Sequence, residues 1–544
     1  MTPLHTVFGY ALAAGVLGSA AVAQHQMASP NYRVFPSAIS QTEPVIAVHP
    51  TNPMTMFAAS RTINTNGGFQ SEGVYVTTNG GVTWFGSDTC RGANIQNHGG
   101  DPGIAILPDG GLVLTHIGSL FLGIYSHYSN DLGASWSNAY TIFSQSSQPP
   151  DDKGQATVID NTPTSLYYGR VYSSWAIVGS PFTVLTSYTT NGGLSWSIPA
   201  TINPTPPARC SGAFTTVGLN GNVYTCWAGL AIASPFAEDF VGFAASADGG
   251  VSWRVTQNAF DMNGIKGLLA AKNNILVNGL PQVGIDGTSG PRSGWIYVAT
   301  TEKTLPPAGS DPDIIFHRST NDGVTWSSAI RVNQDPLNNG KIQYFPAIDV
   351  DSQGGINIIY YDDRNTSADS SEIVLARSVD GGNTWTERVV SDHRFKPKPI
   401  AGFPSGYQGD HIALTSVASI LHAFWMDDFS GIYQVWSTAI DITTLGTTPG
   451  EGSLPNAIEL KQNYPNPFNP STTIEYHLAE SGFAVLLVLD MNGKAITRLV
   501  AERQVAGNHS VVFNTEKLHL ASGIYFYRLS VNGFSSAKQM VLLR

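Results

Sequence analysis

Six copies of one eight-residue pattern, each ending in tryptophan, constrain this 544-residue chain more than any other feature. The fullest copy is Ser378-Val379-Asp380-Gly381-Gly382-Asn383-Thr384-Trp385, or S-x-D-x-G-x-T-W. The others run from Thr77 to Trp84, Ser129 to Trp136, Thr189 to Trp196, Ser246 to Trp253 and Ser319 to Trp326. Each residue type has a physical reason. Glycine supplies positive φ in a tight hairpin turn, and the Asx side chain hydrogen-bonds neighbouring backbone N–H groups. The Thr or Ser hydroxyl adds a second local bond, and the Trp fills the gap between adjacent sheets. These residues staple a fold and carry no chemistry.

The tryptophans are spaced by 52, 60, 57, 73 and 59 residues. That is longer than a compact four-stranded propeller blade of roughly 40–50 residues, so each unit has room for loops. Within each step a strand led by a polar residue or Pro comes first, as in Glu43-Pro44-Val45-Ile46 and Phe345-Pro346-Ala347-Ile348. A Gly/Asp turn, an aromatic-rich strand and a third strand follow, which is the grammar of an antiparallel meander. Counting strand pairs gives seven units, beginning near Glu43, Asp101, Lys153, Ser211, Pro281, Tyr344 and Asp410. The seventh (Ile412 to Ile440) lacks the turn motif. An open edge would leave backbone groups unpaired, so Tyr32 to Ser37 is expected to complete the last unit as its outer strand. The reading is an all-β chain with a β-propeller, seven blades favoured and six allowed.

The eight-residue pattern matches the Asp box, and residues 31–441 resemble bacterial sialidases and the wider BNR/Asp-box group of secreted proteins. That resemblance implies three arginines on a substrate carboxylate, a Tyr nucleophile paired with Glu, and an Asp acid/base. The family's first arginine lies in F-R-I-P; the nearest match here is Tyr32-Arg33-Val34-Phe35-Pro36, and no Asp occurs between Arg33 and Asp88. In a propeller the starts of first strands and the ends of second strands share one face around the central channel. That ring contains Glu43, Arg61, Asp101, His116, Asp151, Asp152, Trp175, Trp227, Tyr361, Asp362, Asp363, Arg364, Asp410, His411, Asp427 and Asp428. The catalytic candidates are Arg61, Asp101, Tyr361, Asp363 and Arg364, with Arg33 and Tyr407 as further members of a sialidase-type set. Carboxylates, two arginines and aromatic platforms suit a sugar better than a nucleotide. Three functions stay open: a glycoside hydrolase of exo-sialidase type, a non-catalytic glycan- or protein-binding cell-surface propeller, and a polysaccharide lyase. No cofactor is required, although the carboxylates offer hard oxygen ligands for Ca²⁺. The histidines are scattered and show no zinc-type spacing.

The two ends of the chain address it outside the cytoplasm. Val7 to Ala23 is apolar and ends in Ala21-Val22-Ala23, a small-x-small cleavage site, so residues 1–23 read as a signal peptide. Residues 442–454 have linker composition. From 455 to 544 the chain resembles the C-terminal sorting domain of type IX secretion cargo, small Ig-like β-sandwiches read by the secretion machinery. The resemblance rests on Asn463-Tyr464-Pro465-Asn466-Pro467-Phe468-Asn469-Pro470 and Gly523-Ile524-Tyr525-Phe526-Tyr527-Arg528-Leu529. The expected protein is secreted or held at the outer cell surface, with an extracellular glycan or glycoprotein as partner. The net charge of -11 gives no reason to bind nucleic acid, and no later segment has the ~20 apolar residues of a membrane span. Of three cysteines, Cys90 and Cys210 are expected to be able to pair in an oxidising compartment, and Cys226 to be a buried thiol.

Overall fold

The computed structural model describes residues 31–444 and 458–543, except 66–67, 91–97, 145–150, 153–156, 178, 235, 404–405, 479–480, 491–494, 519 and 532–533. The signal peptide and most of the linker expected from the sequence lie outside the described residues. The chain is almost wholly β. Among the described residues no helix is long and apolar enough to cross a membrane.

Among the described residues, 32–441 form seven antiparallel sheets in chain order, besides one two-stranded hairpin. Their first strands are Ser40–Val48 (sheet 1), His98–Ile106 (sheet 2), Thr157–Ile159 (sheet 3) and Arg209–Val217 (sheet 4). Gln282–Ile285, Gln343–Val350 and Ala413–Val417 begin sheets 5, 6 and 7. Sheets 1 to 6 are each a meander of four strands, sheet 3 adding the short strand Asp151–Asp152 beside its second strand, and sheet 7 is a meander of three. Each first strand contacts the first strand of the next sheet, and that of sheet 7 contacts that of sheet 1. Residues of the first strands of sheets 1, 2, 3, 5, 6 and 7 line one narrow cavity of about 110 Å³. The last sheet is completed from the other end of the chain. Tyr32 and Arg33 pair with Ser437 and Trp436, and the Val34 N–H donates to the Val435 carbonyl at 2.9 Å.

All six repeated turns make the same bonds. In the first, Thr77 Oγ1 donates to Asn79 Oδ1 at 2.8 Å and accepts from the Gly81 N–H at 3.1 Å. Asn79 Oδ1 also accepts from the Thr83 N–H at 3.0 Å. In the sixth, Asp380 accepts from the Thr384 N–H at 3.0 Å and from the Thr384 hydroxyl at 2.6 Å. Each tryptophan then bridges to the preceding sheet: Trp136 packs on Phe57, Trp326 on Phe243, Trp385 on Phe316, and Trp84 on Phe424 of sheet 7. Six of the seven junctions between sheets are thereby held by one large aromatic wedge each, whose area burial dominates such contacts; the junction of sheets 6 and 7 has no such tryptophan, because sheet 7 lacks the turn.

The 73-residue step has a structural cause. Between sheets 4 and 5 a small hairpin, Gly267–Leu269 with Ile275–Val277, carries Lys272 into the protein. A different correction concerns the cysteines. All three are free and buried. Cys90 packs with Phe57, Ile104 and Trp136, whereas Cys210 packs with Ala176 and Trp227 in a separate core, so the expected pair cannot form without moving whole sheets.

The C-terminal residues form two further sheets. Ile458–Leu460, Ser471–Leu478 and Gly507–Asn514 face Ala495–Gln504, Gly482–Leu489, Gly523–Val531 and Phe534–Leu542 across one core that includes Ile474, Tyr476, Leu486, Tyr527 and Met540.

Candidate functional site

The first strands of sheets 1, 2, 4 and 6 carry β-bulges, and two of these bulges present carboxylates. The ladder register shifts between Thr42 and Val45 in sheet 1, and between Gly100 and Gly103 in sheet 2. The displaced residues are Glu43-Pro44 and Asp101-Pro102. Glu43 sits at φ 56° and Asp101 at φ 50°, a left-handed conformation that costs a non-glycine residue and is further disfavoured before proline. Sheet 6 repeats the device with Phe345 at φ 52°. Strain of this kind persists only where surrounding contacts over-determine it, and it concentrates at functional sites.

The two carboxylates meet a third. Oxygens of Glu43, Asp101 and Asp410 all lie within 4.8 Å of one another. Glu43 Oε2 accepts the Asp101 N–H at 3.1 Å, and Oε1 accepts the hydroxyl of Tyr407 in a short hydrogen bond. Arg61 Nη1 is 3.6 Å from Glu43 Oε1, and its Nη2 donates to Gln70 Oε1 at 2.6 Å. The guanidinium carbon stands 4.8 Å from the centre of the Tyr407 ring and 5.5 Å from that of Phe403. Gly100 makes this packing feasible: at φ +120° a Cβ there would come within 2.8 Å of Arg61 Cδ. Asp410 Oδ1 lies 2.9 Å from His411 Nδ1.

Electrostatics fix the resting protonation. Burial alone would raise the Glu43 pKa, but Arg61, His411, the Tyr407 hydroxyl and the Asp101 N–H together hold it below the ordinary value. Burial pushes the Tyr407 phenol well above its ordinary value. For Arg61, burial is outweighed by Tyr407, Glu43, Asp101 and Glu72, so its pKa rises. The dyad therefore rests as a neutral phenol donating to a carboxylate. Four carboxylates around one guanidinium leave the site acidic, which disfavours a ligand that is itself an anion.

The structure brings Arg61, Asp101, Glu43, Asp410, His411 and Tyr407 together, and separates the rest of the expected ring. Tyr361 is buried, stacks on Tyr344 and donates to the Met426 carbonyl at 2.7 Å. Asp363 is buried against Lys272 Nζ at 2.6 Å and accepts the Ile342 N–H at 2.8 Å. Arg364 is locked between Asp362 and Glu387, with Nε 2.7 Å from Asp362 Oδ2 and Nη2 2.8 Å from Glu387 Oε1. Burial still raises the pKa of Asp362, to about 6. The side chains of Tyr361, Asp363 and Arg364 are thus engaged in contacts of the fold, apart from the group around Glu43. Arg33 lies on the outer strand of sheet 7, and the three arginines do not converge. Trp175 and Trp227 are fully buried and offer no platform. Asp427 accepts from Trp425 Nε1 at 2.7 Å and contacts His393 Nε2 at 2.9 Å, while Asp428 pairs with Lys398 at 3.0 Å. Asp151 and Asp152 pair with Ile177 and Ala176, and their side chains are not among those described.

Sequence reasoning missed two things. Gln70, Glu72 and Phe403 line Arg61, yet only Glu43-Pro44 and Asp101-Pro102 at equivalent strand starts signalled the region. The expectation of scattered histidines is overturned: His98, His116 and His127 converge in sheet 2.

Residues 462–543 match the secretion system C-terminal sorting domain. This module indicates engagement of the type IX secretion machinery and a secreted or cell-surface protein. A sequence search of curated proteins found no match. Among solved structures the chain is similar to a protein of unknown function from Dyadobacter fermentans, at 12% identity and a TM-score of 0.43, covering 76% of this chain and 98% of that one. It is also similar to an ulvan lyase, a polysaccharide lyase, at 10% identity and a TM-score of 0.44, covering 75% and 98%. A third is the intramolecular trans-sialidase from Ruminococcus gnavus, at 13% identity and a TM-score of 0.39, covering 77% and 99%.

Proposed function

We propose that this protein is an exported glycoside hydrolase of extracellular glycans, working at the Tyr407–Glu43–Arg61 group on a sugar that need not be anionic. On this reading residues 1–23 are the export signal, and 31–441 a seven-bladed Asp-box propeller closed by its N-terminal strand. A linker at 442–454 and an Ig-like sorting domain at 455–544 follow. The cyclic contact of the seven first strands supports the propeller.

The observation that carries the chemistry is the hydrogen bond from the Tyr407 hydroxyl to the Glu43 carboxylate beside Arg61. Glu43 takes the phenolic proton as the oxygen attacks the anomeric carbon; the glycosidic C–O bond breaks, and a neighbouring carboxylic acid, Asp101 or Asp410, protonates the leaving oxygen. Water, deprotonated by that same aspartate, then attacks the anomeric carbon and breaks the tyrosyl–sugar bond while Glu43 returns its proton to the Tyr407 oxygen, which regenerates the acid and the dyad. Arg61 stabilises negative charge on the phenolic oxygen. With one arginine in place of three, and an acidic surround, the site does not suit a sialic-acid carboxylate clamp.

The test is turnover of a panel of neutral and acidic oligosaccharides by the wild type and by Tyr407→Phe. Hydrolysis of a neutral glycan that falls at least about 100-fold in Tyr407→Phe, with the melting temperature kept, supports the reading. Binding without turnover returns the site to a non-catalytic glycan-binding role. Full activity in Tyr407→Phe removes this site from the chemistry.

A further inference from the structure

We propose that His98, His116 and His127 form a binding site for a divalent transition-metal ion that takes imidazole nitrogen, such as Zn²⁺. The three lie on adjacent strands of sheet 2: His98 begins the first, His116 belongs to Leu112–Gly118, and His127 to Ile124–Ser129. His98 pairs with Gly118, and His127 with Leu114, so each is a diagonal neighbour of His116. All three are nearly or fully buried, and one ring nitrogen from each lies within 4.8 Å of the others.

The hydrogen bonds dictate where the ring protons are. His116 Nδ1 is 2.8 Å from the Ile117 carbonyl, and His127 Nδ1 is 2.9 Å from the Ser137 carbonyl. A carbonyl oxygen only accepts, so both Nδ1 atoms carry hydrogens and the Nε2 atoms of the neutral rings present lone pairs. Those two Nε2 atoms face each other at 3.0 Å. Two acceptors at that distance repel unless a cation lies with them. Beside them, His98 Nε2 is buried without a hydrogen-bond partner, while its Nδ1 is 3.3 Å from Ser71 Oγ.

The cation is either a proton or a metal. Burial opposes the proton, because an imidazolium enclosed among these side chains loses its hydration. A metal fits the donor set. Neutral imidazoles are preferred ligands, and Nδ1–H groups held by backbone carbonyls are the usual outer-shell support. Zn–N bonds of about 2.0–2.1 Å at a tetrahedral angle put ligand nitrogens roughly 3.3 Å apart. The observed 3.0 Å needs only a small outward movement of His116 and His127, with His98 swinging in. Three protein nitrogens leave a fourth position for water. His98 stands three residues before Asp101 on one strand, so the ion ties down the segment that carries Gly100 and Asp101 to Arg61 and Glu43. The site itself does not depend on the glycan reading.

The test uses the purified full chain, stripped with chelator and dialysed against Zn²⁺ or Co²⁺. Roughly one ion per chain should be retained, Co²⁺ should show the visible bands of a nitrogen-ligated four-coordinate site, and chelation should lower the melting temperature. His116→Gln and His127→Gln should each abolish retention. If either variant fails to fold, the Co²⁺ spectrum and chelation shift of the wild type decide. Retention below about a tenth of an ion per chain, a Co²⁺ spectrum of oxygen ligation, or folded variants that still bind one ion would overturn the proposal.

Discussion

Replacing Asp363 by Ala separates a structural role from a catalytic one. Lys272 Nζ has three partners: Asp363 Oδ2 at 2.6 Å, the Ala368 carbonyl at 2.7 Å and the Ser370 carbonyl at 2.6 Å. Both side chains of the pair are essentially inaccessible. Asp363→Ala leaves the ammonium buried with neutral oxygens alone, and breaking a buried pair from one side costs about 3–5 kcal/mol. An unfolding entropy of roughly 2.1 cal/mol/K per residue over about 410 residues gives about 0.9 kcal/mol/K, so the expected fall in melting temperature is about 4–6 °C. Lys272→Met with Asp363→Ala removes the stranded charge, and the double variant should regain much of that loss. Calorimetry on the four proteins of this cycle measures the coupling. A melting temperature unchanged within about 1 °C in Asp363→Ala, together with lost glycan turnover, would refute the assignment of Asp363 to the fold.

Two further outcomes follow from the same kind of accounting. Burial would lower the His393 pKa, but hydrogen bonds to Asp392 and Asp427 on its two ring nitrogens outweigh burial and raise it to about 9. The stabilisation, roughly 3 kcal/mol, is fully present below the unfolded value near 6.5 and lost as pH rises through about 9; His393→Gln should melt lower than the wild type at pH 6 and equally at pH 10, and a pH-independent gap refutes this. Burial raises the pKa of all three cysteines, and they sit in separate core clusters, so thiol counting after denaturation should find three free thiols with or without reductant; an intramolecular disulfide in the folded protein would contradict the packing described.

The parts of the fold legible in the sequence are those specified by local chemistry. The Ser/Thr–Asx–Gly turns and their tryptophans encode a hairpin and a wedge within eight residues, and these recur as expected. The closing strand was legible through a general demand, that no sheet edge be left open. The site was harder because its decisive contact, Tyr407 to Glu43, spans 364 positions. Residue type alone cannot distinguish Arg61, stacked beside that pair, from Arg364, which Asp362 and Glu387 neutralise. The histidines at 98, 116 and 127 follow no metal-binding spacing because each comes from a different strand, and strand lengths and loops set the intervals. Lys272 was invisible for a related reason: it belongs to an inserted hairpin outside the repeat.

The pairing of Tyr32 with Ser437 has a consequence for how such a chain is made. The strand that completes the last sheet is among the first parts of the ring to be synthesised, and its partner among the last. Until Gln434–Asp441 has emerged, Tyr32 and Arg33 have no place to go, and sheet 1 has no seventh neighbour for Trp84 to wedge against. Contacts between such distant segments make closure slow. The ring is thus a clasp fastened last, and a chain that crosses a membrane before fastening it travels without its finished shape.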